Sequence, residues 1–563
     1  MNIFKTIYIF SVISLCSCFT SCEKILDKKD LRSINPNDVW NNLALSTAYV
    51  NNIYGDLMSG MPTNEGGGND ECTDNGEMRN FLAGVATIDT YSYFPYATIR
   101  KINMALENLA TSSIADADKN KLIGQVLFWR AWAYFMMVKA YGGVPLVLTS
   151  QDVSDKEQLF VPRSKTSECI AQIVKDLDDA IAVLPDAWTG EEGRIDKGAA
   201  MAYKGRVLLY YASPQFTPSG DASRWQAAYD ANKEALQYLT GKGKGLYEDF
   251  GGIWQQELNK EVIMVRRYTN PGATYSQAGI RPILYSKDAA NQDIPSLKLV
   301  NAFPMKDGSV FDPNTMSYDT LFKNRDDRFY ASIGYNGSDM GLKDMVDLNT
   351  YLWTYWGPSG NVIGPLGTPT SFYRQKGLDK AITQQTVNYA AVDWIEIRFA
   401  EVLMNFGEAA NEINKTDEAL DVLYQIRNRA KILPGDDAHY GITAASKDEI
   451  RTVYMNERFV EFAFEDKRWW DLRRWRKLDI LNSMQRRKGL RYTLKTGETG
   501  PTGYDDINVV WNRFTSEVVT VDTRDIDVKD NYYFYGIPLG VLDRSNNFDQ
   551  TQGWNDGTFD PLQ

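Results

Sequence analysis

Two stretches of helical periodicity, separated by a long excursion rich in proline and glycine, constrain this chain more than any other feature. From residue 37 to about 240 apolar side chains recur at three- and four-residue steps, beginning with Trp40, Leu43, Ala44, Ala48, Ile53 and Leu57. Asn37 or Asp38 is placed to cap that first helix. The same periodicity predicts helices over about 97–110, 119–141, 166–184, 196–212 and 224–239, separated by short turns. A second helical block is predicted from 393 to about 478. Within it Gly407 lies twelve residues before Ala419, with the polar turn Asn414–Asp417 between them. That small-residue spacing suits a tetratricopeptide (TPR) helix pair, in which two helices approach closely, and equally an ordinary helical hairpin. Similar pairs are expected at 97–141 and 166–212, without a regular 34-residue array.

Between 242 and 392 eight prolines interrupt the chain, from Pro271 to Pro369, and no helix longer than about ten residues reads cleanly. Loops of this length in a compact protein usually carry recognition, because a rigid frame holds them in place. A second irregular stretch, 485–563, contains the strand-like EVVTVDT and the aromatic run YYFYGIP. The expected fold class is therefore mainly α, with TPR-like helical pairs forming a scaffold for a loop-rich, irregular ligand-binding region containing short strands. The expected division is an N-terminal helical region 37–241, an insertion 242–392, a second helical block 393–484 and a C-terminal region 485–563 packing on the scaffold.

The first 22 residues carry Lys5, an apolar run from Ile7 to Phe19, and then Thr20-Ser21-Cys22. This reads as a signal peptide over 1–21, too short for a spanning helix. A cysteine directly after the small residues looks like the lipobox of a bacterial lipoprotein, so Cys22 is expected to be acylated, with 22–36 as a tether. Acyl chains contribute about 0.8 kcal/mol per buried CH₂ and together anchor a domain without any spanning helix. Of the two cysteines in the body, Cys72 and Cys169, a bridge is compatible with an oxidising compartment, but nothing in the sequence brings them together.

The charge balance removes several function classes. Lys and Arg number 61 against 73 Asp and Glu, a net charge of −12, with no long basic run, so nucleic acid is not an expected partner. A single histidine, His439, excludes any zinc site built on two or three histidines. A Ser-His-Asp triad would have to use that residue, in the loop DDAHYG. The glycine-rich GKGKG at 241–245 and GETGPTG at 497–503 lack the Lys-Ser/Thr ending of a phosphate cradle, and Ser359 lacks the glycine spacing of a nucleophile elbow. Two carboxylates suffice for glycoside hydrolysis, so composition leaves that reaction open.

Three segments have ligand-binding composition. The loop GGGNDECTDNGEMRN (66–80) collects Asp70, Glu71, Asp74 and Glu77 among glycines. Oxygen ligands there could hold calcium, but the positions do not follow EF-hand spacing, and a solvated loop or a set of sugar-hydroxyl acceptors fits as well. No metal or other cofactor is assigned. EFAFEDKRWWDLRRWRK (461–477) interleaves arginine with tryptophan, and the acids Glu457, Glu461, Glu465 and Asp471 are expected to pair with Arg458, Arg468, Arg474 and neighbours along a helix while the indoles pack inward. Tyr351, Trp353 and Tyr355 alternate, so an extended segment puts them on one face and Leu352, Thr354 and Trp356 on the other. Exposed aromatic rings with polar residues between them suit the apolar C–H faces and rim hydroxyls of pyranose rings, whereas the same residues packed under a loop would form a satellite core.

Several segments, in order along nearly the whole chain, resemble the SusD/RagB family of surface lipoproteins of Bacteroidetes, which capture glycans for import. They are CEKILD, VWNNLALSTAYVNNIY, YATIRKINMALENL, VLFWRAWAYFMMVKAYGGVPLV, FVPRSKTSECIAQIVKDLDDAIAVLP, GRIDKGAAMAYKGRVLLYYAS, IEIRFAEVLMNFGEAANEIN, ERFVEFAFEDKRWWDLRRW and YYFYGIPLGVLDRSNN. AYGGVPLV and EDKRWWDLRRW are the most specific. The resemblance implies a helical core with TPR-type pairs and a non-enzymatic role at the cell surface, lipid-anchored in the outer membrane. The partners it implies are an oligosaccharide and a SusC-like TonB-dependent transporter. It points to a ligand site made by the loop before the helix near 97 and by the insertion. On this chain those positions are the loop 66–80, with Asn69, Asp70, Asp74 and Arg79 for hydrogen bonds, and Tyr91, Tyr93, Phe94, Trp353 and Trp356 for stacking, to which the alternation above adds Tyr351 and Tyr355. Family members often carry a tryptophan just before that helix, where this chain has Tyr91, Tyr93 and Phe94. Oligopeptide capture by the same fold, glycoside hydrolysis and a TPR scaffold for protein partners are the alternative readings.

Overall fold

The computed structural model describes residues 36–61, 78–152, 154–155, 159–286, 293–343, 350–357, 362–363, 368–521, 524–544 and 547–563. The signal segment, Cys22 and its tether, and Asn69, Asp70, Cys72 and Asp74 lie outside the described residues, as does the side chain of Arg79.

The main helices are α1 (Leu43–Leu57), α2 (Tyr96–Ala110), α3 (Asp116–Tyr141), α4 (Thr166–Val183), α5 (Lys197–Ala212), α6 (Ala222–Gly241), α7 (Phe399–Glu412), α8 (Thr416–Arg429), α9 (Lys447–Glu461) and α10 (Arg468–Arg474). Consecutive helices pack on one another from α3 through α9, and α1 and α2 both lie against α3. In α3 nearly every residue from Leu122 to Tyr141 is buried, which is the environment an all-round apolar helix requires. Buried ion pairs tie neighbouring helices together. Arg130 of α3 meets Asp176 of α4 at 2.6 Å, and Arg206 of α5 meets Glu401 of α7 at 2.6 Å.

The spacing of Gly407 and Ala419 has the consequence expected of a close helix pair. A Cβ on Gly407 would stand 2.9 Å from Val422 Cβ and would overlap Tyr454 Oη, which itself donates to the Ala419 carbonyl at 2.7 Å. Asn414 turns the chain between α7 and α8 with φ of 63°. The first helix starts later than its sequence suggests. Pro36–Trp40 forms a separate short helix, and Asn42 caps α1 by accepting from Leu45 N at 3.2 Å.

The insertion is spliced between α6 and α7, which pack directly against each other. It contributes β1 (Val262–Arg266), β2 (Ile333–Gly334), β3 (Tyr355–Trp356), β4 (Val362–Ile363) and β5 (Tyr373–Arg374), β6 (Trp394–Arg398) follows just past its expected end at 392, and β7 (Lys488–Leu494) and β8 (Phe514–Thr520) come from the C-terminal region. Its root is a two-stranded antiparallel ribbon in which Val262 faces Arg398 and Arg266 faces Trp394. The segment WIEIR, expected as the start of a helix, is therefore strand β6. Its apolar residues Trp394, Ile395 and Ile397 are all buried, and β1 supplies the hydrogen-bonding edge that a helix would not need. A second ribbon pairs β2 with β5, and a four-stranded sheet has the order β4-β3-β7-β8, with β3 parallel to β7. The main core follows the helices, and a second core lies under this sheet and takes in Phe459 and Val460 from the end of α9 and Phe464 just beyond it.

α9 ends at Glu461, and the chain turns through Phe464 (φ 63°) and Asp466 (φ 56°) before α10. The indoles of Trp469, Trp470 and Trp475 are buried, as expected. The acids do not mainly pair along their own helix. Glu457 pairs with Arg328 and Arg427, Glu461 with Arg328, Arg398 and Arg429, and Glu465 with Lys376 and Arg398. Asp471 keeps one local partner, Arg474, at 2.7 Å and a more distant one, Arg458, at 2.9 Å. Side chains turned into the interior meet groups from other segments, so sequence spacing does not set their partners.

Candidate ligand-binding face

The four-stranded sheet buries one face and opens the other. Strand alternation along KGLRYTL sends Leu490, Tyr492 and Leu494 into the second core and leaves Arg491 and Thr493 half-buried on the opposite face. Register then lines up residues distant in sequence. Trp356 of β3 lies beside Thr493 of β7, which faces Thr515 of β8, and one step along Arg491 faces Glu517. The Arg491 guanidinium sits 4.7 Å from the centre of the half-buried Trp356 ring and 3.2 Å from the Glu517 carboxylate. The result is an indole braced by a cation, a row of hydroxyls, and a charged pair that donates and accepts. These groups match the apolar face and hydroxyl rim of a sugar ring.

The structure separates the sequence-derived aromatics into different environments. Trp353 and Tyr355 are each 5% exposed and pack on Phe514, with ring centres 6.2 Å and 5.2 Å away. Expected as exposed stacking rings, they are core residues, because the alternation that puts them on one face aims that face inward. Trp356, on the other face, is the open indole, and Leu352 packs in a separate small core. Tyr351 is half-buried and its N–H donates to Gly503 O at 2.6 Å.

Tyr91, Tyr93 and Phe94 are half-buried and lie against the main core. Tyr91 packs on Tyr535 at 4.8 Å and Phe94 on Tyr141 at 4.7 Å. Tyr141 Oη donates to Tyr91 O at 3.2 Å and accepts from Tyr93 N at 3.1 Å. Burial pushes the Tyr93 phenol well above its ordinary pKa, and its hydroxyl has no hydrogen-bond partner among the described residues. This cluster and the Trp356 face pack on different cores, so the described residues do not join them into one platform.

Sequence reasoning missed Arg491, Thr493, Thr515 and Glu517. Period-two alternation in KGLRYTL and EVVTVDT marks two half-buried strands, but their pairing with residues near 356 is set by tertiary contact. A small recess in the helical core is too tight for an extended ligand. It measures about 40 Å³, lies between α3, α5 and the α9–α10 connection, and is lined by Trp132, Lys139, Tyr203, Asp466 and Trp470. Lys139 Nζ lies 4.0 Å over the Trp470 ring there. Burial lowers the Lys139 pKa and raises that of Asp466. A space of this size is too small for a sugar ring. His439 lies far from a triad arrangement, stacked on Tyr424 and 3.2 Å from Asp437. Cys169 is buried with a free thiol. Among the described residues no group of three or more His, Cys, Asp or Glu side chains could hold a metal ion, and no helix is long and apolar enough to cross a membrane.

Comparison with known proteins supplies the family. The SusD family model matches residues 259–554, and a second model, described as "Starch-binding associating with outer membrane", matches residues 38–209. SusD-like protein P2 of Formosa agariphila is 24% identical over 418 residues, covering 71% of this chain and 74% of the relative. A SusD-like protein of Bacteroides ovatus is 23% identical over 386 residues, 66% of this chain and 62% of the relative. Among solved structures, a SusD-like protein from Bacteroides fragilis superposes with a TM-score of 0.74 at 25% identity, covering 94% of this chain and all of that one. A laminarin-binding SusD-like protein shares the fold at 18% identity, with a TM-score of 0.59 over 91% of this chain and 99% of that one. The first model alone spans more than half the chain, from the root of the insertion through α7–α10 and both C-terminal strands of the sheet, and on that match the chain belongs to the SusD family.

Proposed function

We propose that this chain captures oligosaccharides at the outer membrane without cleaving them and passes them to a SusC-like TonB-dependent transporter. Cys22 would carry the lipid anchor and hold the domain at the cell surface. The observation that carries the reading is the open sheet face, where Trp356, braced by Arg491, adjoins Thr493, Thr515 and Glu517. The family description as starch-binding and outer-membrane-associated, and a laminarin-binding protein of the same fold, support a glycan ligand. Loop 66–80 with Asn69, Asp70, Asp74 and Arg79, and the Tyr91, Tyr93 and Phe94 cluster, would contact the ligand on a second side.

The test is migration of the chain without its signal segment through native gels containing a panel of polysaccharides. Retardation by a particular glycan that is lost in Trp356→Ala supports the reading. Unchanged migration in every glycan refutes it. One observation favours an oligopeptide as second ligand: β8 is an edge strand of the sheet, and an extended peptide could add there as a further strand. Heat released on titrating peptide mixtures, with no glycan retardation, would decide for that reading.

A further inference from the structure

We propose a second ligand subsite, separate from the Trp356 face, that takes a saccharide unit bearing a carboxylate. It rests on the glycan-capture reading above and names a substrate class for it.

The site is an open basin of about 540 Å³, within the usual range of small-ligand sites, roughly 300–1,000 Å³. Four chain segments meet at it. Residues 248–251 follow α6, Tyr330 and Ala331 belong to the short helix Asp327–Ser332, Gln375 and Lys380 follow β5, and Lys431 follows α8. Its floor is rigid. Phe250 is buried, and the cations of Lys376 and Arg429 lie 4.8 Å and 4.9 Å from its ring centre.

The wall offers an aromatic face whose polar end is already used. Tyr330 is 37% exposed, while its hydroxyl donates to Phe322 O at 2.8 Å and accepts from Arg325 N at 3.2 Å. The fixed ring can therefore stack but has little hydrogen bonding left to give. Charges around the basin divide into two sets. Glu248 holds Lys260, and Asp327 holds Lys306 at 2.8 Å. Asp249, Lys380 and Lys431 have no ion-pair partner among the described residues. Lys431 also acts on Glu248 through its charge, and with Lys260 and Lys306 counted four ammonium groups stand against Glu248, Asp249 and Asp327, an excess of one positive charge on a chain whose net charge is −12. A neutral sugar would use the tyrosine ring, Gln375 and Asp249 but would bring no anion to the ammonium groups of Lys380 and Lys431. A uronate unit supplies a ring face for Tyr330, hydroxyls for Asp249 and Gln375, and an anion for Lys380 and Lys431.

The experiment is calorimetric titration of the parent, Lys380→Met/Lys431→Met and Trp356→Ala with a uronic-acid trisaccharide, a neutral glucose trisaccharide and sodium acetate. Both lysines are exposed, so the double variant should keep the parent's melting temperature. The expected result is uronate binding that weakens about tenfold or more in the double lysine variant, falls with added salt and survives in Trp356→Ala. Equal uronate affinity in the parent and the lysine variant would overturn the subsite. If that affinity is lost in Trp356→Ala instead, the sheet face binds the uronate and glycan capture stands. Acetate alone giving the same lysine-dependent heat and displacing the trisaccharide would show a general anion site and overturn the saccharide assignment. No uronate binding by the parent also overturns it, with glycan capture then judged separately by polysaccharide retardation.

Discussion

Arg398, the last residue of β6, places Nη1 2.6 Å from Oε1 of Glu461, the last residue of α9, with both side chains at most 1% exposed. The same arginine meets Glu261 at 2.7 Å and Glu465 at 2.9 Å. The root of the insertion is thus fastened to the second helical block by charge at this point.

Removing one member of that cluster leaves buried charges uncompensated. Arg398→Ala is expected to cost about 3–5 kcal/mol of stability, the range for breaking a buried ion pair from one side. Urea unfolding monitored by tryptophan fluorescence measures it, and a loss below about 1 kcal/mol, typical of an exposed pair, would contradict a fastening role.

Acid should loosen the same cluster. Burial raises the Glu461 carboxyl, but the guanidinium groups of Arg429, Arg398 and Arg328 outweigh it and hold the group well below the usual carboxylate range. Glu457, Glu465 and Asp471 are lowered in the same way, by Arg328 and Arg427, by Arg398 and Lys376, and by Arg458 and Arg474. A folded-state pKa below the unfolded value means that the unfolded chain binds more protons in that interval. The stabilisation is therefore complete above the unfolded value of about 4.3 and is lost as pH falls toward the folded one. Melting temperatures followed by circular dichroism should fall steeply below about pH 5, and a flat profile down to about pH 3 would count against this assignment.

The two tryptophans three residues apart should behave differently. Trp353→Ala empties a site in the second core and is expected to cost about 3–5 kcal/mol of stability. Trp356→Ala should leave the melting temperature nearly unchanged and weaken glycan binding about tenfold or more, equivalent to roughly 1.4 kcal/mol. Melting and gel retardation on the same two variants check both halves, and a reversed pattern would show that Trp353 is the binding ring.

Gly407 is fixed by proximity. Gly407→Val would drive side-chain atoms into Val422 and Tyr454, and overpacking of this kind costs about 1–3 kcal/mol or more. Chemical denaturation measures the loss. Gly55, with nothing within 4 Å of its would-be Cβ, is the control: Gly55→Ala in the interior of α1 should be neutral or stabilising.

The helices are legible in the sequence where local rules are sufficient. The predicted 97–110 and 196–212 appear as Tyr96–Ala110 and Lys197–Ala212, because periodic apolar residues and local caps act within a few residues. WIEIR reads as helix until its partner β1, more than one hundred residues earlier, is known. Alternation at 351–356 shows two faces but does not say which one is inside. The burial of Phe514 against Trp353 and Tyr355 decides that, from a segment about 160 residues away.

By itself, then, the sequence determined the helical class, the two helical blocks with an irregular excursion between them, the inward-packed tryptophans of 469–475, and the resemblance that named the family. Each depends on residue type and short-range spacing. Only the tertiary structure decided that β1 and β6 close the excursion, that Glu457, Glu461 and Glu465 pair with arginines from other segments, and that Trp356 with Arg491, Thr493, Thr515 and Glu517 forms the open face. Those relationships join residues that are distant along the chain. Strand register and the burial of charge set them, and both arise only when separate segments pack together.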